Sequence, residues 1–212
     1  EDIGIVKFDL LGVATLNLVK EIKDDLHLDP WDYDINNPEF ENDRPTYELL
    51  ASGKTNGVFQ VESAGMKDLL IRLKPKLEQL DFEVISVILA LYRPDSMGAL
   101  DEYVEMATGG SRPPSIHPDM DKILKDTNYC MIYQEQLLDI VKKFGGRTYG
   151  GADLFRKAIG KKIVELVQKE SEILRGEIVA NGYPKEIADK IANELSQKGG
   201  YLFNKSHSYS YA

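Results

Sequence analysis

The chain has 212 residues, 42% of them hydrophobic and 29% charged, which is enough for one or two domains with a hydrophobic core. The single cysteine excludes an internal disulfide and a cysteine-rich zinc site, and no apolar run is long enough to cross a bilayer. With a formal net charge of −9 and no recognisable signal peptide, we expect a cytoplasmic protein with no membrane partner, which could bind nucleic acid only through a local basic patch.

The first predicted element is a strand in GIVKFDLLG, residues 4–12. Because side chains alternate along a strand, Lys7 and Asp9 share one face, while the opposite face is apolar. A carboxylate among apolar neighbours needs a partner, since burying an unpaired charge is costly. The partner of Asp9 is either Lys7 or a metal ion. A lone strand is not stable in water, so we expect residues outside this chain to complete the sheet, and the chain to be a piece of a longer protein.

The rest of the chain is predicted to be mainly α-helical, with apolar residues at helical spacing. The segment EVISVILALYR is strongly apolar and predicts a buried helix that ends before Pro94. Residues 29–45 and 111–119 predict loops, and GVFQVES, residues 57–63, predicts a short strand or an extended link. Helices are predicted at residues 12–26, 46–53, 64–74 after a Ser63 N-cap, 83–93, 98–110, 119–125, 130–144, 151–159, 162–181 and 184–198.

A basic stretch, LFRKAIGKK at residues 154–162, contains Arg156, Lys157, Lys161 and Lys162 and no acidic residue. Lys157 and Lys161 are one helical turn apart, and like charges at this spacing destabilise a helix slightly. In so acidic a chain, four uncompensated cations favour a polyanion as partner, such as a triphosphate or a nucleic-acid backbone. The alternative is a solvated helix end, because cations are favourable at helix C-termini.

A second unusual stretch, GGYLFNKSHSYSYA at residues 199–212, combines aromatic rings and hydroxyls with Lys205 and His207. Aromatic rings can stack on bases and Lys or His can hold phosphate, but this stretch by itself favours a loop followed by a partly buried helix. YQEQ, residues 133–136, lies in a predicted amphipathic helix, where packing together with surface hydrogen bonding is the simplest interpretation. His27 and His117 lack the spacing of metal ligands and are expected to be structural or solvated.

Six motifs resemble, in order and in spacing, those of the bacterial C-family replicative DNA polymerases, the DNA polymerase III alpha subunits. Any one of them would be weak evidence, but six in the family's order cover nearly the whole chain. The pattern is similar to that of the shorter members, which lack an inserted exonuclease. The motifs are GIVKFDLLG, GVFQVESAGMKDLL, LALYRPDSMG, MIYQEQLLDIV, GGADLFRKAIGKK and FNKSHSYSYA.

The resemblance implies a two-part organisation. Residues 1–13 would be the last strand of a palm domain with a nucleotidyltransferase fold like that of polymerase beta, and residues 14–212 would be an incomplete helical fingers domain. In this family three aspartates hold two Mg²⁺ ions, and the motif around Asp9 carries the third of them. Lys7 would then lie near the phosphates. The other two aspartates form a D-x-D pair that in the family lies upstream of the motif around Asp9, and it would therefore lie outside this chain.

The resemblance also implies a function, as part of a DNA-directed DNA polymerase that adds deoxynucleotides to a primer 3′ end by two-metal phosphoryl transfer. This chain alone is expected to be inactive. Its expected partners are primer–template DNA, deoxynucleoside triphosphates and, in the longer protein, a sliding clamp and other replisome subunits. The alternative is a non-catalytic helical module of polymerase ancestry that binds nucleic acid or protein. The residues implied at the nucleotide phosphates are Arg156, Lys157, Lys161, Lys162, Arg93, Lys205 and His207, and Lys67 is implied in the primer–template channel.

The sequence departs from the family's motifs in three places. The family's R-P-G-P is replaced by residues 93–96, RPDS, which puts the anion of Asp95 where a glycine turn is expected. The family's S-R-G-M-K loses its arginine at Ala64. The family's K-S-H-S-A-A-Y-A carries Tyr209 and Ser210 in place of two alanines, and the bulk of Tyr209 is expected to alter local packing. These changes indicate a divergent member.

Overall fold

The computed structural model describes residues 12–29, 43–112, 114–161 and 163–212. The predicted strand with Lys7 and Asp9 lies outside these ranges, as does Lys162, so the strand and its assignment to a palm domain stay predictions. The described chain is predominantly helical, as the sequence predicts, and none of its helices is long and apolar enough to span a membrane. The helices are α1 (Thr15–Asp25), α2 (Arg44–Ala51), α3 (Ala64–Arg72), α4 (Lys74–Leu77), α5 (Phe82–Leu91), α6 (Met97–Ala107), α7 (Pro118–Leu124), α8 (Gln134–Gly145), α9 (Tyr149–Gly160), α10 (Val164–Ala180), α11 (Lys185–Lys198) and α12 (Lys205–Tyr211).

Side-chain caps fix the start of several helices. The Ser63 hydroxyl accepts a hydrogen bond from the N–H of Met66 (3.3 Å), as the sequence predicts. Asp43, Thr148 and Asn204 cap α2, α9 and α12 in the same way. Each cap satisfies one of the backbone N–H groups that have no partner within the first helical turn. Local sequence therefore decides where these four helices begin.

Residues 57–63 form turns, so the predicted strand or extended link is wrong. Gly57 and Gln60 have positive φ angles of 76° and 60°. The hydroxyl of Thr55 also donates a hydrogen bond to the carbonyl of Val61 (2.5 Å) and closes the turn. An extended strand cannot continue through residues in the left-handed region.

The helix predicted from residue 130 begins only at Gln134. Tyr133 is extended and forms a parallel bridge with Phe203. The N–H of Phe203 donates to the carbonyl of Ile132 (2.9 Å), and the N–H of Gln134 donates to the carbonyl of Phe203 (2.8 Å). A distant segment therefore satisfies backbone groups that a helical turn would otherwise have paired locally.

The helices pack into two hydrophobic clusters. The first is formed by α2 to α6, and α5 is its most buried helix: seven of its ten residues are buried, as predicted for a strongly apolar segment. The second is formed by α7 to α11. The bridge between residues 131–133 and 201–203 joins them: Ile132 and Tyr133 belong to the first cluster, Met131 and Leu202 to the second, and Tyr201 packs against both.

Helix α1 contributes to neither cluster. None of its residues is buried in the described part of the chain, although its sequence is amphipathic. Its apolar side chains and those just after it are about half exposed: Leu16, Leu18, Ile22, Leu26 and Leu28. The helix therefore forms as the sequence predicts, but the described residues do not cover its apolar face.

Candidate functional site

The segment before α12 is held by side chains at the start of α8. Gln134 Nε2 donates to the carbonyl of Leu202 (3.3 Å). The Glu135 carboxylate accepts hydrogen bonds from Asn204 Nδ2 (2.8 Å) and from the N–H of Lys205 (3.0 Å). The motifs MIYQEQ and FNKSH therefore meet in space. YQEQ packs with Tyr133 buried and makes hydrogen bonds near the surface through Gln134 and Glu135, as the sequence predicts, and these bonds also fix the start of α12.

Gln136 is the buried member of this segment, with 7% of its surface exposed. Its Oε1 accepts from the N–H groups of Ile132 (2.8 Å) and Tyr133 (2.9 Å), and its Nε2 donates to the hydroxyl of Thr127 (2.7 Å). The sequence singled out the YQEQ segment, but the burial of Gln136 and its bonds to the backbone were not predicted. The signal was present, because a glutamine at the third position of a helix often bonds back to the backbone of the capping residue.

A cavity of ≈290 Å³ lies next to α12 and contains two of the predicted phosphate-binding residues, Arg93 and His207. They come from opposite halves of the chain, so only the tertiary structure brings them together. The cavity is bounded by the start of α3, the end of α5 and the exposed side of α12. Its lining residues are Gln60, Met66, Leu89, Tyr92, Arg93, Phe203, His207, Ser208 and Tyr211.

Arg93 is held in place by backbone carbonyl groups from two distant segments of the chain. Its Nε donates to the carbonyl of Ala90 (2.7 Å), and its Nη2 donates to the carbonyl of Tyr201 (2.8 Å). The guanidinium carbon lies 4.7 Å from the centroid of the Phe203 ring. Burial lowers the pKa of Arg93, and the charge of Asp95 partly opposes this shift. Since an arginine stays protonated in proteins, the site keeps one fixed, partly desolvated cation.

His207 is exposed and lies within a row of aromatic rings. Its ring centroid is 5.3 Å from that of Phe203 and 4.8 Å from that of Tyr211, and Tyr211 stacks on Phe59 at 5.8 Å. The cavity therefore has ring edges and faces beside its cation. This combination suits a ligand that carries both an anion and an aromatic base.

An acidic residue just outside the basic stretch pairs with two of its cations. Asp153, one residue before it, forms ion pairs with Arg156 (2.7 Å) and Lys157 (3.0 Å). Burial raises the pKa of Asp153, but the hydrogen bonds from Lys157 and Arg156 outweigh it and hold that pKa below its usual range. Lys161 is exposed just after α9, and no ion pair to it is found within the described residues. The prediction of four uncompensated cations is therefore wrong for two of them.

Arg156 connects the basic stretch to the bridge between the two clusters. Its Nη1 donates to Gln134 Oε1 (3.4 Å), and Gln134 in turn holds the carbonyl of Leu202. Arg156 and Arg93 therefore both contact the 201–203 bridge or its direct partner, although 63 positions separate them in the sequence. Lys67 does not line the cavity, and its ammonium donates to Asn56 Oδ1 on the α3 side.

Lys205 lies at the start of α12, beside the carboxylate of Glu83 in α5. The ammonium is 4.0 Å from Glu83 Oε2, and the hydroxyl of Tyr209 donates to the same oxygen. The ring of Tyr209 packs edge-on against Phe82 (5.4 Å) and Tyr133 (6.4 Å). The bulk of Tyr209 therefore fills a space between α5 and α12. Glu83 was not among the residues that the sequence singled out.

His117 and Cys130 have structural roles within the described chain, whereas His27 is exposed. His117 caps α7 through Nδ1, which accepts from the N–H of Asp119 (3.1 Å), and its ring packs against Phe144 and Tyr183. Cys130 is buried, and burial raises the pKa of its thiol to about 12, so the reactive thiolate is not formed near neutral pH.

The described residues contain no group of three or more His, Cys, Asp or Glu that could hold a metal ion. They do not by themselves supply the magnesium site that the resemblance implies. Asp9 lies outside the described ranges, so its role as a ligand stays a prediction.

Comparison with known proteins agrees with the resemblance. The family model described as the bacterial DNA polymerase III alpha subunit finger domain matches residues 15–198. The chain belongs to this family. Over 215 residues it is 40% identical to the DNA polymerase III subunit alpha of Aquifex aeolicus (strain VF5), which includes all of this chain and 18% of that protein. Over 213 residues it is 37% identical to the one of Halalkalibacterium halodurans, with all of this chain and 19% of that protein covered.

The finger-domain match ends at residue 198, but the structure continues to pack beyond it. Residues 201–211 contribute the bridge, four of the residues that line the cavity and the contacts of α12 with α5. The chain spans 18–19% of the length of these relatives, so most of a polymerase alpha subunit lies outside it. The candidate site is thus built partly from residues that follow the matched finger domain.

Gly65 offers a test of the cavity's packing. A Cβ atom placed there would clash with the hydroxyl oxygen of Tyr92, which lines the cavity. We expect Gly65→Ala to displace the Tyr92 ring and to lower the free energy of unfolding by about 1–3 kcal/mol, the usual cost of overpacking. Chemical denaturation measures this difference. Gly98→Ala in α6 is the matched control, because nothing lies within 4 Å of its Cβ, and we expect no loss of stability there. Equal stability of the two variants would show that Tyr92 does not pack against Gly65.

Proposed function

We propose that this chain is the nucleotide-receiving finger part of a DNA-directed DNA polymerase that adds deoxynucleotides to a primer 3′ end. The observation that carries the proposal is the arrangement around the 201–203 bridge. Arg93, Phe203 and His207 meet at one cavity, and Arg156 approaches the bridge through Gln134. This arrangement occurs in a chain of the DNA polymerase III alpha subunit finger-domain family, and it is suited to hold a triphosphate beside a base.

The cations of the site have donors left for a ligand. Arginine carries five N–H groups, of which the backbone carbonyls of Ala90 and Tyr201 use two, so three remain on Arg93. Lys161 has no ion pair among the described residues, and we place it, with Lys162, near the outer phosphates. Arg156 and Lys157 would exchange part of their pairing with Asp153 for phosphate oxygens. Charge-assisted hydrogen bonds of this kind are short and strong in a site partly closed to water.

Further parts of the proposal concern the longer protein. We propose that Asp9 contributes one carboxylate to a site for two Mg²⁺ ions, whose other ligands lie outside this chain. When bound, such ions stabilise the charge that develops on the attacking and leaving oxygens of a phosphoryl transfer. Lys7 would lie near the phosphates and Lys67 along the primer–template DNA. A sliding clamp and other replisome subunits are the proposed partners of the longer protein, with the cytoplasm as its location.

The basic end of α9 gives the direct test, because Lys161 can be removed without breaking an ion pair seen in the structure. In the longer protein we expect Lys161→Ala to raise the KM for deoxynucleotide about tenfold or more, the equivalent of one hydrogen bond to a charged group. We expect the KM for primer–template to stay unchanged. Steady-state kinetics with nucleotide and DNA varied separately, at two salt concentrations, measures both constants. Lys169→Ala in α10 is the control, because Lys169 is also exposed.

Two other results would replace this assignment. Lys161 would instead contact the DNA backbone if the nucleotide KM stayed unchanged while the affinity for DNA fell. The salt dependence of DNA binding would then correspond to about one fewer released counterion. No change in either constant would make it part of a solvated helix end. A folded longer protein that binds DNA and extends no primer would support the non-catalytic alternative.

A further inference from the structure

Glu83 is a nearly buried carboxylate directed at α12. Only 12% of its side chain is exposed, and it lies in the first turn of α5. Its Oε2 receives the hydroxyl of Tyr209 and lies 4.0 Å from the ammonium of Lys205. Its Oε1 is fully buried and has no hydrogen-bond partner among the described residues. A carboxylate in this position depends on a nearby cation, because desolvating an unpaired charge is costly.

Lys205 is that cation, and it is confined on several sides. It forms the one ion pair to Glu83 that the described residues show. Its ammonium lies 4.9 Å from the ring centroid of Tyr209 and 5.3 Å from that of Tyr133. Its backbone N–H is held by the Glu135 carboxylate (3.0 Å). The side chain nevertheless stays 37% exposed, so Lys205 is accessible from solvent.

The contact between α12 and α5 is also held by hydrogen bonds that do not involve this ion pair. The hydroxyl of Ser208 donates to the carbonyl of Ser86, and the hydroxyl of Ser86 is 2.8 Å from that of Tyr133. These groups are buried between α5 and α12. Loss of the Glu83 charge should therefore release the Lys205 side chain without releasing the helix that carries it.

We infer that Glu83 is a positioning residue for Lys205. It holds the ammonium, together with the Tyr209 hydroxyl and the two tyrosine rings, in the orientation in which Lys205 meets a phosphate of the incoming nucleotide. The inference rests on the proposed function, with Lys205 at the nucleotide phosphates as the family resemblance implies. A cation ordered before the ligand arrives loses less freedom on binding than a free lysine side chain does. Tyr209 stands where the motif that this chain resembles has alanine, so the bond from its hydroxyl to Glu83 depends on one of the departures in the sequence.

The first measurement follows the ammonium itself and does not depend on catalysis. In the longer protein, Lys205 is acylated with an amine-reactive N-hydroxysuccinimide ester and quantified by peptide mass spectrometry. We expect Glu83→Gln to raise the acylation rate of Lys205 by about threefold or more. The substitution removes the carboxylate charge, and with it the ion pair that holds the Lys205 ammonium. We expect a smaller rise for Tyr209→Phe, which keeps the ring and removes the hydroxyl. Glu102→Gln is the matched control, because that carboxylate pairs with Lys198.

The second measurement follows the nucleotide. We expect Glu83→Gln to raise the KM for deoxynucleotide by about five- to tenfold while kcat stays within about twofold, the pattern of a lost binding contact. The double variant Glu83→Gln with Lys205→Ala should have the same KM for deoxynucleotide as Lys205→Ala alone, since Glu83 acts through Lys205. Glu102→Gln should leave the KM unchanged.

The outcomes separate the inference from the proposal beneath it. An unchanged acylation rate in Glu83→Gln, a lower nucleotide KM, or an additive effect in the double variant overturns the positioning role. A lower KM would mean that Glu83 only repels the phosphates. If Lys205→Ala itself leaves the nucleotide KM unchanged, the proposed function of Lys205 fails, and the acylation rates still decide whether Glu83 holds the ammonium. Should Glu83→Gln fail to fold, Tyr209→Phe carries both measurements.

Discussion

We expect Gln136→Leu to lower the free energy of unfolding of this chain by about 2–6 kcal/mol, since two buried N–H groups lose their acceptor at a cost of about 1–3 kcal/mol each. These are the N–H groups of Ile132 and Tyr133, which share Gln136 Oε1. Leucine has a similar volume but no acceptor, so the loss is one of hydrogen bonding rather than of packing. Urea denaturation followed by circular dichroism measures the difference.

A control and a second readout connect this prediction to the candidate site. Gln197→Leu, at an exposed position of α11, should change the stability by no more than about 0.5 kcal/mol. Because Gln136 fixes the extended residues 131–133, hydrogen exchange should become faster at the N–H of Phe203, which donates to the carbonyl of Ile132. Equal stability of the two leucine variants would mean that water or a backbone shift replaces the lost acceptor.

The second large effect is expected at Asp9 in the longer protein. Asp9→Asn should keep the fold and reduce kcat by about 10³-fold or more, because loss of a metal-ligand charge removes several kcal/mol of transition-state stabilisation and each 1.36 kcal/mol is a factor of ten. Primer extension under single-turnover conditions measures the chemical step. Asp25→Asn, at the exposed end of α1, is the matched control, and its kcat should equal that of the wild-type protein.

Two further readouts keep the Asp9 prediction specific. Circular dichroism of the variant should match that of the unchanged protein, and primer–template affinity should stay within about threefold, since Asp9 is not expected to contact DNA. Near-normal turnover of a folded Asp9→Asn variant would contradict the metal assignment. Asp9 would then be the structural partner of Lys7, the other possibility that the sequence leaves open.

Most of the helical architecture was predictable from local sequence. Apolar spacing and caps place α2, α3, α6 and α9 to α11 within a few residues of their observed ends, and the apolar run of α5 predicts its burial. The wrong predictions concern residues whose backbone conformation depends on contacts with other parts of the chain. The turns at 57–63 need left-handed residues and the Thr55 bond, and the extended residues before Gln134 need Phe203 as a partner.

The candidate site was predictable mainly in its residue types. The cations Arg93, Arg156, Lys157, Lys161, Lys205 and His207 stood out through the family's motifs. The sequence did carry a signal for the pairing of Asp153 with two of them, because Arg156 and Lys157 follow it at the helical spacings of three and four residues. The sequence alone could not show the carboxylate of Glu83, which lies next to Lys205 across 122 positions of sequence.

By itself the sequence determined the helical class, the helix starts at Ser63 and similar caps, the motif order and hence the family. Each of these depends on groups a few residues apart, or on the motifs themselves. The tertiary structure alone decided which motifs meet: Gln134 holds Leu202, Arg93 holds Tyr201, and Glu83 faces Lys205. The physical reason is that these contacts join residues 68 to 122 positions apart, whose separation in space is set by the packing of two clusters and not by any local preference.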